Sequence, residues 1–160
     1  MIATVKGRFG EVQGTVELDP LRIDAGHVDV SINAASIDTR SEQRDAHLRS
    51  PDFFDVEKYP TITYRSRRIE QLSGGQLLVV GDLTIRGITR EVPLTVTPGG
   101  FARDPWGNER AAYVATTEIS RGDFGLTWNA ALETGGVLVG DEVKINLEVE
   151  LVRQAAQAAA

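Results

Sequence analysis

Val143-Lys144-Ile145-Asn146-Leu147-Glu148-Val149-Glu150-Leu151 alternates an aliphatic with a polar side chain at every step. Successive side chains of a β-strand point to opposite faces, so this period of two puts the five aliphatic residues on a dry face and the four polar ones on a wet face. The pattern recurs upstream. Val28, Val30 and Ile32 alternate with Asp29, Ser31 and Asn33; Ile62 and Tyr64 alternate with Thr63 and Arg65; Val92, Leu94 and Val96 alternate with Pro93, Thr95 and Thr97. Leu77, Val79, Leu83 and Ile85 share one parity with Gly81, and Tyr113, Ala115, Thr117 and Ile119 make a mixed stripe.

Turn residues separate the runs: Ser73-Gly74-Gly75, Arg86-Gly87, Pro98-Gly99-Gly100 and Asp104-Pro105-Trp106-Gly107. Glycine reaches positive φ at little cost, which hairpin turns require. Parallel neighbours need crossovers of a dozen residues or more, and these links are far shorter, so the sheet is antiparallel over its middle. Residues 3–19, with Gly7, Gly10 and Gly14 inside a strand-like pattern, read as one long strand kinked by bulges. The expectation is an all-β antiparallel barrel of seven strands, or eight if residues 3–19 divide.

One segment breaks the pattern. Residues 39–50 read as a short helix, with Thr39 and Glu42 at capping-box spacing, Asp45 and Arg49 as an i,i+4 pair, and Pro51 as the stop. Phe53, Phe54 and Tyr59 form an aromatic cluster just beyond it.

The hydrophobic share of 41 % and charged share of 25 % over 160 residues fit one globular domain. Residues 1–153 are read as that domain and 154–160 as a low-complexity, Ala-rich tail. A net charge of −6 opposes a nucleic-acid partner, since phosphate binding needs a basic face. With no cysteine there is neither a disulfide nor a thiolate metal site. No window reaches the roughly 18 apolar residues of a membrane helix, so no integral membrane insertion is expected. The first residues lack a secretory pattern, and the expected location is the cytoplasm.

Chemistry-bearing motifs are scarce. The two histidines, His27 and His47, lie on different elements without metal-ligand spacing, and serine-hydrolase and nucleotide-binding signatures are absent. No catalytic residue, metal or cofactor is expected. Arg44 and His47 are open to two readings: a head-group site at a barrel mouth, or parts of a salt-bridged surface helix plugging one barrel end. Phe53 and Phe54 read more simply as core than as ligand wall. Arg121-Gly122-Asp123 reads as a tight turn. Trp128 could line a pocket or anchor a loop.

The stretch from Ser36 through Asp55, with Tyr59-Pro60 after it, closely resembles the central signature of the YceI-like family. Gly81-Asp82-Leu83-Thr84-Ile85-Arg86-Gly87-Ile88-Thr89, Arg121-Gly122-Asp123-Phe124-Gly125-Leu126 and Val139-Gly140-Asp141-Glu142-Val143 resemble its later blocks, in order. The resemblance implies a lipocalin-like antiparallel barrel whose deep apolar interior takes polyisoprenoid or similar lipid chains, and it brings no catalytic residues. Some members are periplasmic or secreted. Members usually begin with a further strand before the Val5-Lys6-Gly7-Arg8-Phe9 block, and nothing here corresponds to it. Without that strand, residues 3–19 and 142–152 would end as unpaired edges, to be covered by a second chain (a homodimer through the open edges) or by the tail.

The function expected is therefore a non-catalytic carrier or scavenger of a long apolar ligand. Arg44, His47, Phe53, Phe54, Tyr64, Gly81, Leu83, Phe124 and Trp128 are the expected ligand-binding residues. Small inward residues such as Gly81, Ala34, Ala112 or Ala115 would leave room, and Gly81→Leu would block uptake with little loss of fold. Two alternatives stand beside this reading. An enzyme acting on a lipophilic small molecule would need a buried ionisable pair facing the cavity, for example His47 with Asp45 or Asp82. An edge-strand module would recruit a partner strand.

Overall fold

The alternating runs pair in chain order. The computed structural model describes residues 4–19, 21–132, 135 and 137–153, and the tail at 154–160 lies outside them. Its elements are β1 Arg8–Phe9, β2 Val12–Glu17, β3 His27–Asn33, β4 Ile37–Asp38, α1 Glu42–Arg49, β5 Thr61–Gln71, β6 Leu77–Ile85, β7 Ile88–Arg103, β8 Glu109–Ser120 and β9 Glu142–Val152. Seven strands form one antiparallel sheet in the order β2-β3-β5-β6-β7-β8-β9, curled into a half-barrel. Among the described residues β2 and β9 have no outer neighbour.

The β6–β7 hairpin turns on two residues, Arg86 and Gly87, at φ 51° and 73°. Positive φ at both central positions matches the right-handed twist of the strands and gives the tightest hairpin. Tyr59 packs over this turn, 2.8 Å from where a Cβ on Gly87 would stand.

Four local expectations are corrected. Residues 3–19 are two strands, not one: β1 pairs with β4, while β2 pairs with β3. Pro98-Gly99-Gly100 is no turn but a bulge inside the 16-residue β7, where the register against β8 shifts and Gly100 takes φ 137°. The chain reverses instead at Asp104, whose carboxylate accepts from the Trp106 and Asn108 amides, both at 2.9 Å. Finally, α1 is capped by Ser41, whose hydroxyl accepts from the Arg44 amide, and not by Thr39. The Asp45–Arg49 pair does not form. Asp45 is buried and accepts from the Thr39 amide and hydroxyl, while Arg49 donates to the Ala35 and Ile37 carbonyls.

The core lies on the concave side of the central strands. Ile62, Tyr64, Ile69, Leu77, Val79, Leu83, Ile85, Val92, Leu94 and Val96 are buried there under Phe53, Phe124 and Leu126. These last three come from the segments after α1 and after β8. Both segments leave the sheet where β5 begins, β6 ends and β8 ends, so they close the same end of the half-barrel.

Arg121 fastens that closure. It opens a turn of 3-10 helix, Arg121–Phe124, ended by Gly125 in the left-handed region at φ 74°, so Arg121-Gly122-Asp123 does form a tight turn. The Arg121 side chain is buried, and its guanidinium donates to the carbonyls of Gly140, Leu126, Trp128 and Val139 at 2.8, 2.5, 3.0 and 3.3 Å. Buried carbonyls without donors cost free energy, and one planar five-donor group satisfies four of them at once.

Candidate functional site

Residues directly opposite across an antiparallel pair share a face, so the registers trace the concave wall from edge to edge. Val16 faces Val28, and Gly14 faces Val30, which in turn faces Tyr64. On the other flank Val96, Ala115 and Leu147 form one row, and Phe101, Ala111 and Leu151 another. The central part of this wall is buried. The flanks are apolar too, yet Val28, Val30, Ile32, Tyr113, Ile145, Leu147, Val149 and Leu151 are only half-buried. A half-open trough of aliphatic side chains results.

Two groups of the expected site residues meet. His47, Phe53 and Trp128 form one cluster at the closed end: the His47 ring stands edge-on to Trp128 at 4.5 Å and to Phe53 at 5.0 Å, and Phe53 lies 5.5 Å from Trp128. His47 Nε2 is 2.9 Å from a carboxylate oxygen of Asp52. Phe124 is 1 % exposed and belongs to the core with Phe53. Tyr64, Gly81 and Leu83 form the second group, on the neighbouring strands β5 and β6.

In that second group the sequence reading of Gly81 is corrected. A Cβ there would stand 2.5 Å from the Arg65 carbonyl oxygen and 2.8 Å from the Tyr64 ring carbon and hydroxyl. The position is therefore filled by the Tyr64 phenol and leaves no free space. Gly81→Leu would strike backbone, so its effect would fall on the fold and not selectively on uptake. The Tyr64 hydroxyl donates to the Val92 carbonyl at 2.8 Å. Burial, reinforced by the Asp82 and Glu91 carboxylates, raises the Tyr64 pKa above the ordinary phenol value, so the group remains a neutral donor.

Arg44 and Phe54 join neither group. Arg44 spends Nε and one Nη on the hydroxyl and carbonyl of Thr39, at 2.7 and 2.6 Å, bracing the start of α1. Phe54 packs edge-on against Phe9 at 5.8 Å. His47 pairs with Asp52, both half-exposed, and with neither Asp45 nor Asp82. Asp45 is held by Thr39, and Asp82 lies on the convex side, 3.8 Å from Arg67. Among the described residues no group of three His, Asp or Glu side chains is arranged to hold a metal ion. No helix there is long and apolar enough to cross a membrane.

An open groove of about 550 Å³ runs over the outer side of β7, β8 and β9, lined by Pro93, Thr95, Thr116, Thr117, Glu118, Lys144, Ile145 and Asn146. Its mixed polar lining contrasts with the trough inside. The trough's flanks on β3, β8 and β9 were absent from the expected site residues. The signal was present in their alternation, but alternation marks an apolar face without telling whether anything covers it.

The family model for the YceI-like domain matches residues 1–151. A UPF0312 protein of Vibrio cholerae is 39 % identical over 122 residues, covering 76 % of this chain and 65 % of the relative. The chain thus spans less than two thirds of that relative's length. A UPF0312 protein of Staphylococcus aureus is 36 % identical over 151 residues, covering 94 % of this chain and 85 % of the relative. Two solved structures share the fold. The Campylobacter jejuni YceI protein aligns at TM-score 0.83 and 30 % identity, over 97 % of this chain and 88 % of that one. Burkholderia cenocepacia BcnA aligns at TM-score 0.82 and 25 % identity, over 94 % and 90 %. The chain belongs to the YceI-like family.

Proposed function

We propose that this protein holds a long apolar molecule, a polyisoprenoid or similar lipid, along the concave face of the half-barrel, as a carrier or scavenger without chemistry of its own. The observation that carries this reading is the half-covered aliphatic trough of β3, β8 and β9, built from side chains that elsewhere in the molecule are packed away from water. Each methylene transferred onto such a wall contributes about 0.8 kcal/mol, so a chain of some ten to twenty carbons outweighs the cost of association. Contact of this kind is non-directional, and affinity rises with chain length.

Leu147 stands in the middle of β9, facing Ala115. Titration with the fluorescent fatty acid parinaric acid is expected to saturate with the native protein. Leu147→Asp sets a charge into the trough on an edge strand and should weaken binding at least about tenfold. A native protein that leaves the probe in solution overturns the reading, as does a Leu147→Asp variant that binds it equally well. Native mass spectrometry of protein from its own host would identify any retained apolar mass.

A second reading draws on the edges of β2 and β9, which have no outer neighbour among the described residues. Unpaired backbone groups along a strand template pairing with another chain, and a second copy joined edge to edge would form a homodimer. Sedimentation equilibrium separates the two: a dimer without probe binding favours the edge module.

A further inference from the structure

Val5, Val12, Val137, Leu138 and Val143 are exposed away from the open end of the half-barrel, but among the described residues the three most exposed large apolar side chains all lie at that end. Leu21 is 92 % exposed, Phe101 81 % and Trp106 80 %, and Leu72 is also exposed. Leu21 sits in the β2–β3 connection, Leu72 in the β5–β6 turn, and Phe101 and Trp106 on the β7–β8 hairpin. In an antiparallel sheet these three connections all lie at one end, opposite the end closed by α1 and Phe124. The β5–β6 turn lies against β7, for Gly75 approaches Pro98 to 3.9 Å from the position of its absent Cβ, and β7 runs on to Arg103, so the β7–β8 hairpin projects beyond that turn. Phe101 shares its row with Ala111 and Leu151, so the concave wall continues to the rim without a polar break.

We infer that this rim is a docking surface for a neutral, zwitterionic lipid layer. The residue types are those that partition into a membrane interface, where an aromatic ring sits at head-group level. The hairpin that carries two of them is hydrogen-bonded across its turn. Asp104 accepts from the Trp106 and Asn108 amides and from Arg110 Nε, all at 2.9 Å, which fixes the backbone of the turn from which the exposed Trp106 projects.

Charge selects the kind of surface. The chain as a whole carries −6, but at this hairpin Asp104 is paired with Arg110, and Glu109 lies between Arg103 at 3.5 Å and Arg153 at 2.7 Å. Arg110 also reaches Glu150 at 3.4 Å. The hairpin tip therefore presents matched ion pairs without the basic excess that seeks anionic lipid, and the exposed Asp19 and Asp24 beside Leu21 turn the rim further away from an anionic layer. Insertion would be driven by apolar contact and would resist salt. The inference rests on the carrier reading only for its purpose, since a docked rim would give a lipid chain a continuous apolar path into the trough.

The test uses phosphatidylcholine vesicles, plain and with brominated acyl chains. The native protein is expected to co-sediment with them about equally from 0.1 to 1 M salt. Its tryptophan emission should be quenched by the brominated lipid. The chain has two tryptophans, and in Trp106→Phe, which keeps Trp128, the quenching should vanish. Phe101→Ser with Trp106→Ser should lower partitioning at least about tenfold, with an unchanged thermal transition because both side chains are exposed. Absence of co-sedimentation and quenching at millimolar lipid overturns the inference. So does self-association of the native protein that the double variant abolishes, which would make the rim a contact between copies. Loading with parinaric acid from detergent micelles separates this from the carrier reading: loading without vesicle binding sinks the rim alone, and vesicle binding without loading sinks the carrier alone.

Discussion

The two ends of the half-barrel use the same kinds of residue to opposite effect. At the closed end Phe53 and Phe124 are buried, Trp128 and His47 pack edge-on beside Phe53, and Arg121 satisfies carbonyls of the loop that carries Leu126 and Trp128. At the open end Phe101 and Trp106 touch water, although the hairpin beneath them is as well hydrogen-bonded. An aromatic residue reports stability only where a second layer exists to receive it. The closed end has that layer in the segments after α1 and after β8, and the open end does not. Substitutions should therefore cost progressively less from the closed end to the open one.

Phe124→Ala is the severest case. The ring is 1 % exposed and stands where the 3-10 turn meets the sheet, so its loss opens a cavity that rigid strands cannot fill, at about 4 kcal/mol. Urea unfolding measures this as a lower midpoint at unchanged slope. A cost below about 1 kcal/mol would show that the closed end collapses easily and would remove the contrast between the ends.

Arg121→Met comes next. Methionine keeps much of the volume but donates nothing, leaving the carbonyls of Gly140, Leu126 and Trp128 to find water or remain bare, while Val139 keeps its donor from Asn129. The expected loss is about 3 kcal/mol. Thermal unfolding should then fall by several degrees, at about 2–4 °C per kcal/mol for a domain of this size. Hydrogen exchange adds a sharper readout. The Arg121 amide donates to Asp141 and the Leu126 amide to Arg121, and the Leu126 amide should lose protection first if the guanidinium fastens the loop.

Gly81 lies between the two ends, and it separates what the sequence shows from what it hides. Alternation along 28–33, 61–70, 76–85 and 142–152 was enough to read an antiparallel sheet, because period two is local and survives any packing. The Arg86-Gly87 hairpin was equally legible from its turn chemistry. Gly81 was legible as a gap in its own strand, but what fills the gap is a tyrosine from the neighbouring strand, a fact of register. Pro98-Gly99-Gly100 looked like a turn because bulges and turns draw on the same residues; only pairing of residues 100–103 with β8 distinguishes them. The carbonyls around Arg121 lie up to 19 residues along the chain, beyond any local pattern. Within the candidate site, the aromatic residues near α1 stood out as types, whereas the trough flanks looked like ordinary strand faces until their covering layer proved incomplete.

The corrected reading of Gly81 makes its own prediction. Gly81→Ala must push the Arg65 carbonyl or the Tyr64 ring aside, since 2.5 and 2.8 Å are closer than carbon contacts allow. A cost of about 2 kcal/mol is expected. Combining it with Tyr64→Leu should cost less than the sum of the two single changes, because removing the phenol relieves part of the clash. Strict additivity would mean that the strain lies wholly at the Arg65 backbone.

The smallest effect belongs to the open end and depends on pH. Desolvation works to raise the Asp104 pKa, but hydrogen bonds from Arg110, Asn108 and Trp106 together outweigh it and hold the carboxyl below its ordinary value. The folded state thus favours the ionised form. Its contribution is present above the usual carboxylate range and is lost as pH falls through the depressed folded value. Comparing the unfolding of native protein and Asp104→Asn across that range should show the native advantage shrinking in acid and vanishing once Asp104 is protonated. The effect should remain local, seen mainly as earlier acid broadening of the Trp106 and Asn108 amide signals. If Asp104→Asn instead destabilised the whole sheet at every pH, the open end would be a structural anchor equal to the closed one. The exposure of Phe101 and Trp106 would then belong to a cooperative core element and not to a rim held apart from it.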